Sequence, residues 1–137
     1  MKIRTYGDGD YDAVVSLWNE CFGYPAPHNN PADSIRRKTT MNDDLFFVAE
    51  EDGRPAGTVM AGWDGHRGWL YSLAVAPEHR GKGIARALVE HAMAALHRLD
   101  CPKVNLQVLS DNEGVLGFYE KLGFVAEERV SMGRKLY

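Results

Sequence analysis

The sequence predicts a mixed α/β domain in which a central, largely antiparallel sheet is flanked by helices. Apolar runs in the middle of the chain are joined by Asp52-Gly53 and Asp64-Gly65, pairs that favour β-hairpin turns because glycine adopts positive φ at little cost. From Gly83 to Leu99 the apolar residues recur at helical spacing instead. The chain has 137 residues, so residues 1–137 are expected to form one domain.

The N-terminal part is expected to form an edge strand and two helices. Lys2 to Tyr6 is the predicted edge strand, and apolar residues at three- and four-residue spacing predict a helix from about Asp10 to Cys21. The segment from Tyr24 to Pro31 carries three prolines and is expected to be an irregular loop. A short helix then runs from about Ala32 to Met41, with Asp33 as its cap.

The middle of the chain is expected to be an antiparallel meander that feeds a long helix. Short apolar runs, separated by the two Asp-Gly turns, predict strands at 45–50, 58–63 and 69–75. The amphipathic helix at 83–99 is expected to pack on this sheet until Asp100-Cys101-Pro102 ends it.

The C-terminal part is expected to add one strand, one helix and a closing strand or two. Val104 to Val108 alternates as a strand does. Asp111 or Asn112 caps a helix that reaches Leu122, and Gly123 ends it. The closing strands are expected between Phe124 and Tyr137.

Composition and charge exclude several classes of protein. The net charge of −3, from 16 basic and 19 acidic residues, argues against a nucleic-acid or anionic-membrane partner. Apolar runs of about five residues are too short to span a bilayer, and the N-terminus lacks a secretory h-region, so a cytoplasmic location is expected. Cys21 and Cys101 lie far apart and are expected to be reduced thiols, and the five histidines show no metal-ligand spacing.

The stretch from Val75 to Arg86 is the predicted site for an anionic ligand. A strand ends there and glycines open a long helix, whose first N–H groups are unpaired and carry partial positive charge. Such a helix start binds phosphate groups. The charged residues of the stretch sum to a formal +2, from Arg80, Lys82, Arg86 and Glu78. The alternative interpretation is a glycine-containing turn with solvated basic side chains.

Two phosphate-binding motifs fit this stretch poorly. Ile84 follows Gly83 where a Walker A loop has Lys-Ser or Lys-Thr, and Arg86 stands where the dinucleotide fingerprint has Gly or Ala. The dinucleotide fold also needs parallel strands, whereas the preceding meander is antiparallel. A nucleotide-binding protein therefore remains only an alternative, one that predicts ATP or NAD affinity comparable to that for coenzyme A.

Two blocks of the sequence resemble the signatures of a known family. Arg80-Gly81-Lys82-Gly83-Ile84-Ala85, preceded by Leu73 to Pro77, resembles the R/Q-x-x-G-x-G/A signature of the GNAT N-acetyltransferase superfamily. The block from Asn112 to Phe124 resembles its C-terminal signature, and the order of elements agrees over essentially the whole chain. Through Thr58-Val59-Met60 and Asp64 to Gly68, the chain looks most similar to small bacterial acetyltransferases of the YpeA kind.

The resemblance implies a sheet whose central strands splay apart, with the cosubstrate acetyl-CoA in the gap. Backbone groups of Leu73 and Val75 are expected to pair with pantetheine and the acetyl end, and N–H groups from Gly81 to Arg86 with the pyrophosphate. Asn112 and Tyr119 are expected to line the thioester end. The implied cofactor-binding residues are Leu73, Ala74, Val75, Arg80, Gly81, Lys82, Gly83, Ile84, Ala85, Arg86, Asn112 and Tyr119. No metal is implied.

The family's reaction is direct attack of an amine on the thioester, and the resemblance makes Tyr119 the expected general acid for the departing thiolate. The alternative for Tyr119 is an aromatic residue that only packs the core. Some family members carry a glutamate early in the strand before the pantetheine-binding residues, but Trp69 to Ser72 contains no carboxylate. The general base is therefore unassigned. The residues left open for it are Asp64, His66, Tyr71 and Ser72.

The acceptor is expected to be an amine, on a small molecule or a protein, that enters between the segment 22–31 and Tyr71. Aromatic residues could line that entrance or simply pack; they are Phe22, Tyr24, Trp63 and Trp69. A non-catalytic acyl-CoA-binding or regulatory module of the same fold is the alternative function. Dimers are common in the family, so a homodimer is one expectation, and the sequence leaves the oligomeric state open.

Overall fold

A charged turn joins the first strand, β1 (Lys2–Thr5), to the first helix, α1 (Tyr11–Phe22). The computed structural model describes residues 1–23 and 30–136, so the predicted loop at 24–29, with Tyr24, lies outside the described residues. The Asp10 carboxylate accepts hydrogen bonds from Arg4 Nη1 and Nη2 at 2.7 and 2.8 Å and from the Gly7 N–H at 2.9 Å. These bonds, the Arg4 bonds above all, hold the pKa of Asp10 below its usual range.

The second helix, α2 (Pro31–Thr40), is capped by Asn30 and not by the predicted Asp33. The Asn30 side-chain oxygen accepts a hydrogen bond from the Asp33 N–H at 2.9 Å. Pro31 then occupies the first helical position, where its missing N–H costs nothing. The prediction was wrong because Asp33 already lies inside the first turn, so its own N–H is one of the groups that needs capping.

The sheet contains β2 (Phe46–Glu51), β3 (Arg54–Trp63), β4 (Gly68–Val75) and β5 (Val104–Asn105), in the order β1-β2-β3-β4-β5. The first four strands are antiparallel, and β5 runs parallel to β4. This confirms the predicted mixed fold with a largely antiparallel sheet. β3 begins four residues earlier than predicted, because Asp52 and Gly53 alone make the turn, with φ of 51° and 76°.

The two faces of the sheet carry different helices. The Thr58 side chain contacts α1 through Trp18, whereas a Cβ on the neighbouring Gly57 would meet Ile84 and Leu88 of α3 (Ile84–Arg98). Because successive residues of a strand point to opposite faces, α1 and α3 lie on opposite sides of β3. One apolar cluster fills the α1 side; its buried members are Val14, Leu17, Trp18, Ile35, Phe46, Val48, Met60, Ala74 and Ala76.

The chain divides into two compact units, residues 1–106 and 107–137. In the second, α4 (Glu113–Lys121) is capped by Asn112, whose side-chain oxygen accepts from the Val115 N–H at 3.2 Å, as predicted. Gly123, with φ of 92°, follows the helix as predicted.

Two strand predictions near the C-terminus were wrong. The predicted strand 104–108 ends at Asn105, and residues 124–136 form no strand. A strand needs a paired neighbour and a buried face to be stable. Four apolar side chains of the last segment are instead more than 80% exposed, namely Val125, Val130, Met132 and Leu136. None of the helices within residues 1–23 and 30–136 has the length and apolar character that crossing a bilayer requires.

Candidate functional site

The far edge of β4 is paired with β5 only at its beginning. Gly68 pairs with Val104 and Trp69 with Asn105, and the Gly68 N–H donates to the Lys103 carbonyl at 2.9 Å. Beyond Trp69, no strand of the described residues follows that edge, although β3 stays paired to the other edge as far as Val75. Because β5 ends there, β4 is an edge strand from Leu70 to Val75, and the backbone groups on that edge that have no other partner can receive a ligand that bonds as an added strand does.

A guanidinium and a thiol lie at the end of this open edge. The Val75 carbonyl accepts hydrogen bonds from Arg80 Nε at 3.2 Å and from Cys21 Sγ at 3.6 Å. Arg80 Nη2 also lies 3.7 Å from Cys21 Sγ. The predicted residues Val75 and Arg80 are thus brought together, and Arg80 is anchored to the strand end.

The start of α3 presents backbone N–H groups to solvent. Gly81 and Gly83 have φ of 79° and 81°, and no protein atom lies within 4 Å of where a Cβ would stand on either. Gly83 is the N-cap and supplies no side-chain hydrogen bond, and the first turn holds no acidic residue. The first N–H groups of a 15-residue helix are consequently without a side-chain cap in this part of the described chain, an arrangement that suits an anion.

The local charge is smaller than the sequence indicates. Arg86 Nε donates to Glu90 Oε1 at 2.9 Å one turn further along the helix, in an exposed pair. Glu90 therefore joins Glu78 against the three basic residues, and the balance is +1 rather than +2. Lys82 Nζ lies 3.2 Å from His79 Nδ1, so both groups border the same loop.

Asp64, one candidate for the general base, is engaged in its turn. Its Oδ1 atom accepts from the N–H groups of His66 and Arg67 at 2.7 and 2.8 Å. These two bonds lower the pKa of Asp64, that from Arg67 contributing most, which makes it a weaker base. The geometry favours the turn interpretation for Asp64.

Two aromatic side chains lie on the first residues of β4, before Ser72. Trp69 and Tyr71 are stacked, with ring centroids 6.5 Å apart and an interplanar angle of 20°. They oppose Gly62 and Met60 of β3 and so lie on the face that α1 covers further along. Tyr71 is 51% exposed, and burial of the rest, followed by the charge of Asp64, raises its pKa. A half-buried ring stacked on an exposed one can receive a ligand at the exposed ring.

Asn112 and Tyr119, the other predicted site residues, belong to the second unit. The Asn112 oxygen caps α4, which is a structural role in itself. The Tyr119 ring makes edge contacts with Phe118 and Phe124 at 5.0 and 5.5 Å, and only 8% of the residue is exposed. Burial raises the pKa of Tyr119 to about 12, so the hydroxyl keeps its proton at every physiological pH.

The remaining predicted residues fall on β4 and α3 as expected from the sequence. Leu73 is half-buried and Ala74 is buried on β4, while Ile84 is buried and Ala85 half-buried at the start of α3. In residues 1–23 and 30–136, no three His, Cys, Asp or Glu side chains are grouped as a metal site requires.

Sequence reasoning missed two contributors to this region. Cys21 is predicted only as a helix residue with a reduced thiol, and nothing in the sequence points it at Val75. Thr58 is predicted only as a strand residue that contributes to the family resemblance, yet it is fully buried and hydrogen-bonded. A threonine inside an otherwise apolar run was the available signal, because a buried hydroxyl must have partners.

Known proteins share both the sequence and the fold. A family model described as the acetyltransferase (GNAT) family matches residues 11–124. "Acetyltransferase ECA0875" of Pectobacterium atrosepticum is 43% identical over 136 residues, which are 99% of this chain and 96% of that protein.

Two solved structures extend the likeness at lower identity. AAC(6')-Iy in complex with the bisubstrate analog CoA-S-monomethyl-acetylneamine is 21% identical with a TM-score of 0.78, over 98% of this chain and 97% of that one. A transcriptional regulator from Bacillus halodurans C-125 is also 21% identical, with a TM-score of 0.80, over 97% and 99%. At such identities the likeness is one of fold.

Proposed function

The chain belongs to the GNAT acetyltransferase family, and from that premise we propose that it transfers the acetyl group of acetyl-CoA directly to an amine. The single observation that carries the proposal is the uncapped, glycine-opened start of α3 beside the free edge of β4. The first can hold a diphosphate and the second an amide-bearing chain, and coenzyme A contains both groups. The family match includes residues of both compact units, which supports one domain over residues 1–137.

The cosubstrate is proposed to lie along the residues predicted from the family signature. Leu73, Ala74 and Val75 supply the strand edge, and Gly81 to Arg86 supply the N–H groups for the pyrophosphate. Arg80, held at Val75 by its Nε atom and at Cys21 Sγ by its Nη2 atom, would offer its Nη1 atom to a phosphate oxygen. Asn112 and Tyr119 are proposed for the thioester end. A homodimer remains a prediction from the family resemblance.

The proposed reaction is balanced in protons. A neutral amine attacks the carbonyl carbon, a C–N bond forms and the C–S bond breaks. The amide nitrogen loses one proton and the sulfur gains one. An alkylammonium must first give up a proton, which costs about 4.6 kcal/mol at pH 7 for a pKa near 10.4. Because Asp64 is engaged in its turn, we do not assign this step to that carboxylate, and His66, Tyr71 and Ser72 stay the candidates for the base.

Tyr119 is proposed as the acid that meets the leaving sulfur. A hydroxyl with a pKa of about 12 stays protonated, which an acid requires. It is also a weaker acid than a thiol with a pKa near 8.5, so complete transfer of its proton is uphill. The proposed role is therefore a hydrogen bond that strengthens as negative charge grows on sulfur.

Tyr119→Phe tests this role because it removes only the hydroxyl. We expect kcat to fall about 10²-fold, the cost of one donor aimed at developing charge, with little change in the KM for acetyl-CoA. In the wild type, kcat should rise with pH as the amine deprotonates and should show no loss attributable to Tyr119 up to about pH 10, since its pKa is about 12. An unchanged kcat in the variant would remove the acid role.

The experiment that tests the proposed function is a ligand panel followed by an acceptor screen. Coenzyme A should raise the melting temperature more than pantetheine, which lacks the diphosphate, and more than ATP or NAD. Acetyl-CoA should then release free thiol with at least one amine in a panel of polyamines, amino sugars and peptide amines. A non-catalytic module would bind coenzyme A and release no thiol with any acceptor. Equal responses to ATP, NAD and coenzyme A would instead indicate a nucleotide-binding protein.

A further inference from the structure

A bulge divides β4 into a first half, which carries Trp69 and Tyr71, and an open half, which ends at Val75. Thr58 pairs with Ala74 and Met60 pairs with Tyr71, so one residue of β3, Val59, faces two residues of β4. The bulge contains Ser72, which has φ of 53°. The other non-glycine residues with positive φ in the described chain are all Asn or Asp, which tolerate that conformation better than serine does. Something must hold Ser72 there.

Two buried side chains hold the bulge. Thr58 Oγ1 donates to the Ser72 carbonyl at 3.0 Å, and Trp18 Nε1 donates to Thr58 Oγ1 at 2.8 Å. Because an indole N–H can only donate and a carbonyl can only accept, both directions are determined. Trp18 and Thr58 are fully buried, at 0% exposure, so water does not compete for these bonds.

This pair of bonds links α1 to the shape of the open edge. The Ser72 carbonyl accepts a hydrogen bond from a side chain of β3, and the extra residue shifts Leu73 to Val75 relative to the part of β4 that precedes the bulge. Those are the residues proposed to bond the cosubstrate. The orientation of their backbone groups therefore depends on how the bulge is held.

We propose that Thr58 is a positioning residue for acetyl-CoA: its hydroxyl, oriented by Trp18, holds the Ser72 bulge in the conformation that presents the β4 edge to the cosubstrate. The inference rests on the proposed function for its ligand. Thr58 does not touch the reacting atoms, and it acts through the backbone of Ser72. A purely structural role for Thr58 would lower stability and leave cosubstrate binding unchanged.

The test compares three variants of the whole chain. Thr58→Val keeps the shape and removes the hydroxyl, and we expect the KM for acetyl-CoA and the dissociation constant of coenzyme A to rise about tenfold. Thr58→Ser restores the hydroxyl and should return both values to within about twofold. The control is Val48→Ala: Val48 lies directly opposite Thr58 on β2, is equally buried, and belongs to a strand that does not pair with β4. It should destabilise the protein with less than a twofold change in KM.

A second measurement needs no ligand and separates this inference from the proposed function. The indole N–H of Trp18, observed by NMR and assigned with Trp18→Phe, should exchange slowly in the wild type and in Thr58→Ser, and much faster in Thr58→Val. If the wild type binds no coenzyme A but its indole is protected as expected, the proposed function fails while the bulge support stands. If Thr58→Val exposes the indole and binds coenzyme A normally, the positioning role is overturned. Unchanged indole exchange in Thr58→Val overturns it as well.

Discussion

The two halves of β4 differ in what lies along their far edge. In the first half, Gly68 and Trp69 are paired with β3 on one side and with β5 on the other. After the Ser72 bulge, Ala74 and Val75 are paired with β3 alone. The first half has the bonding of an interior strand and the second that of an edge strand, although both belong to the same eight-residue element. A free strand edge is thus made within the sheet because the neighbouring strand β5 ends early.

The glycines near the two halves show the same contrast. A Cβ on Gly68 would stand 2.8 Å from Cys101 Sγ and 3.2 Å from both Leu96 and Val104, so packing requires glycine there. A Cβ on Gly83 would meet nothing within 4 Å, yet its φ is 81°. Packing therefore explains why position 68, in the first half of β4, is glycine. The positive φ, together with access to the proposed ligand, explains why position 83, beside the open half, is glycine.

The largest expected effect is a loss of stability when the packing around Gly68, in the first half of β4, is disrupted. Gly68→Ala places a methyl group against Cys101 Sγ, and we expect the free energy of unfolding to fall by about 2 kcal/mol. Urea unfolding followed by circular dichroism measures it. Below the melting temperature, coenzyme A should bind the folded variant with wild-type affinity, because the open half is untouched.

The matched control removes the Cys101 sulfur, the atom that the added methyl group would meet. If the sulfur is the obstacle, the Gly68→Ala, Cys101→Ala double variant should lose less stability than the two single changes predict together, since neighbouring changes that share a contact do not add. Strict additivity would mean that the Cys101 sulfur is not the atom that requires glycine at position 68.

The regular elements were predictable because their signals are local. The Asp-Gly turns and the helical period of 83–99 predicted the meander and α3 to within a few residues. The helix cap at Asn112 was predicted on the same grounds. The Asn30 cap could also have been found, since Asn followed by Pro31 is a common helix start.

The open edge itself was not predictable from residue patterns. The alternation from Val104 to Val108 shows where a strand can form, but its length depends on whether a neighbour stays within bonding distance, which is a property of the whole sheet. Ser72 carries no signal for positive φ, because serine rarely adopts it. The splayed strands were expected only through the family resemblance.

The second-largest expected effect is a loss of coenzyme A affinity when the start of α3 is changed. Gly83→Ala adds a methyl group at the proposed diphosphate site and in a strained conformation, so we expect the affinity for coenzyme A to fall about tenfold. Affinity for pantetheine, which lacks the diphosphate, should be nearly unchanged. Isothermal titration calorimetry with both ligands measures the difference.

Gly65→Ala is the matched control for that variant. Gly65 has φ of 87° and equally open surroundings, but it lies in the hairpin turn between β3 and β4. Both variants should lose similar stability, about 1 kcal/mol, because the strain is similar. If Gly65→Ala weakens coenzyme A binding as much as Gly83→Ala does, the loss reflects general destabilisation rather than a diphosphate site.

The smallest expected effect concerns Tyr71, the exposed ring on the first half of β4. If the amine acceptor approaches the thioester over Tyr71 as an ammonium ion, Tyr71→Ala should raise the KM for the amine about threefold through loss of a cation–π contact, without changing the KM for acetyl-CoA. Tyr71→Phe keeps the ring and should behave as the wild type. A fall of kcat in Tyr71→Phe would instead assign the hydroxyl to proton removal from the amine. Since Tyr71 precedes the bulge and Ala74 and Val75 follow it, an effect on the amine alone would place the two substrates on the two halves of one strand.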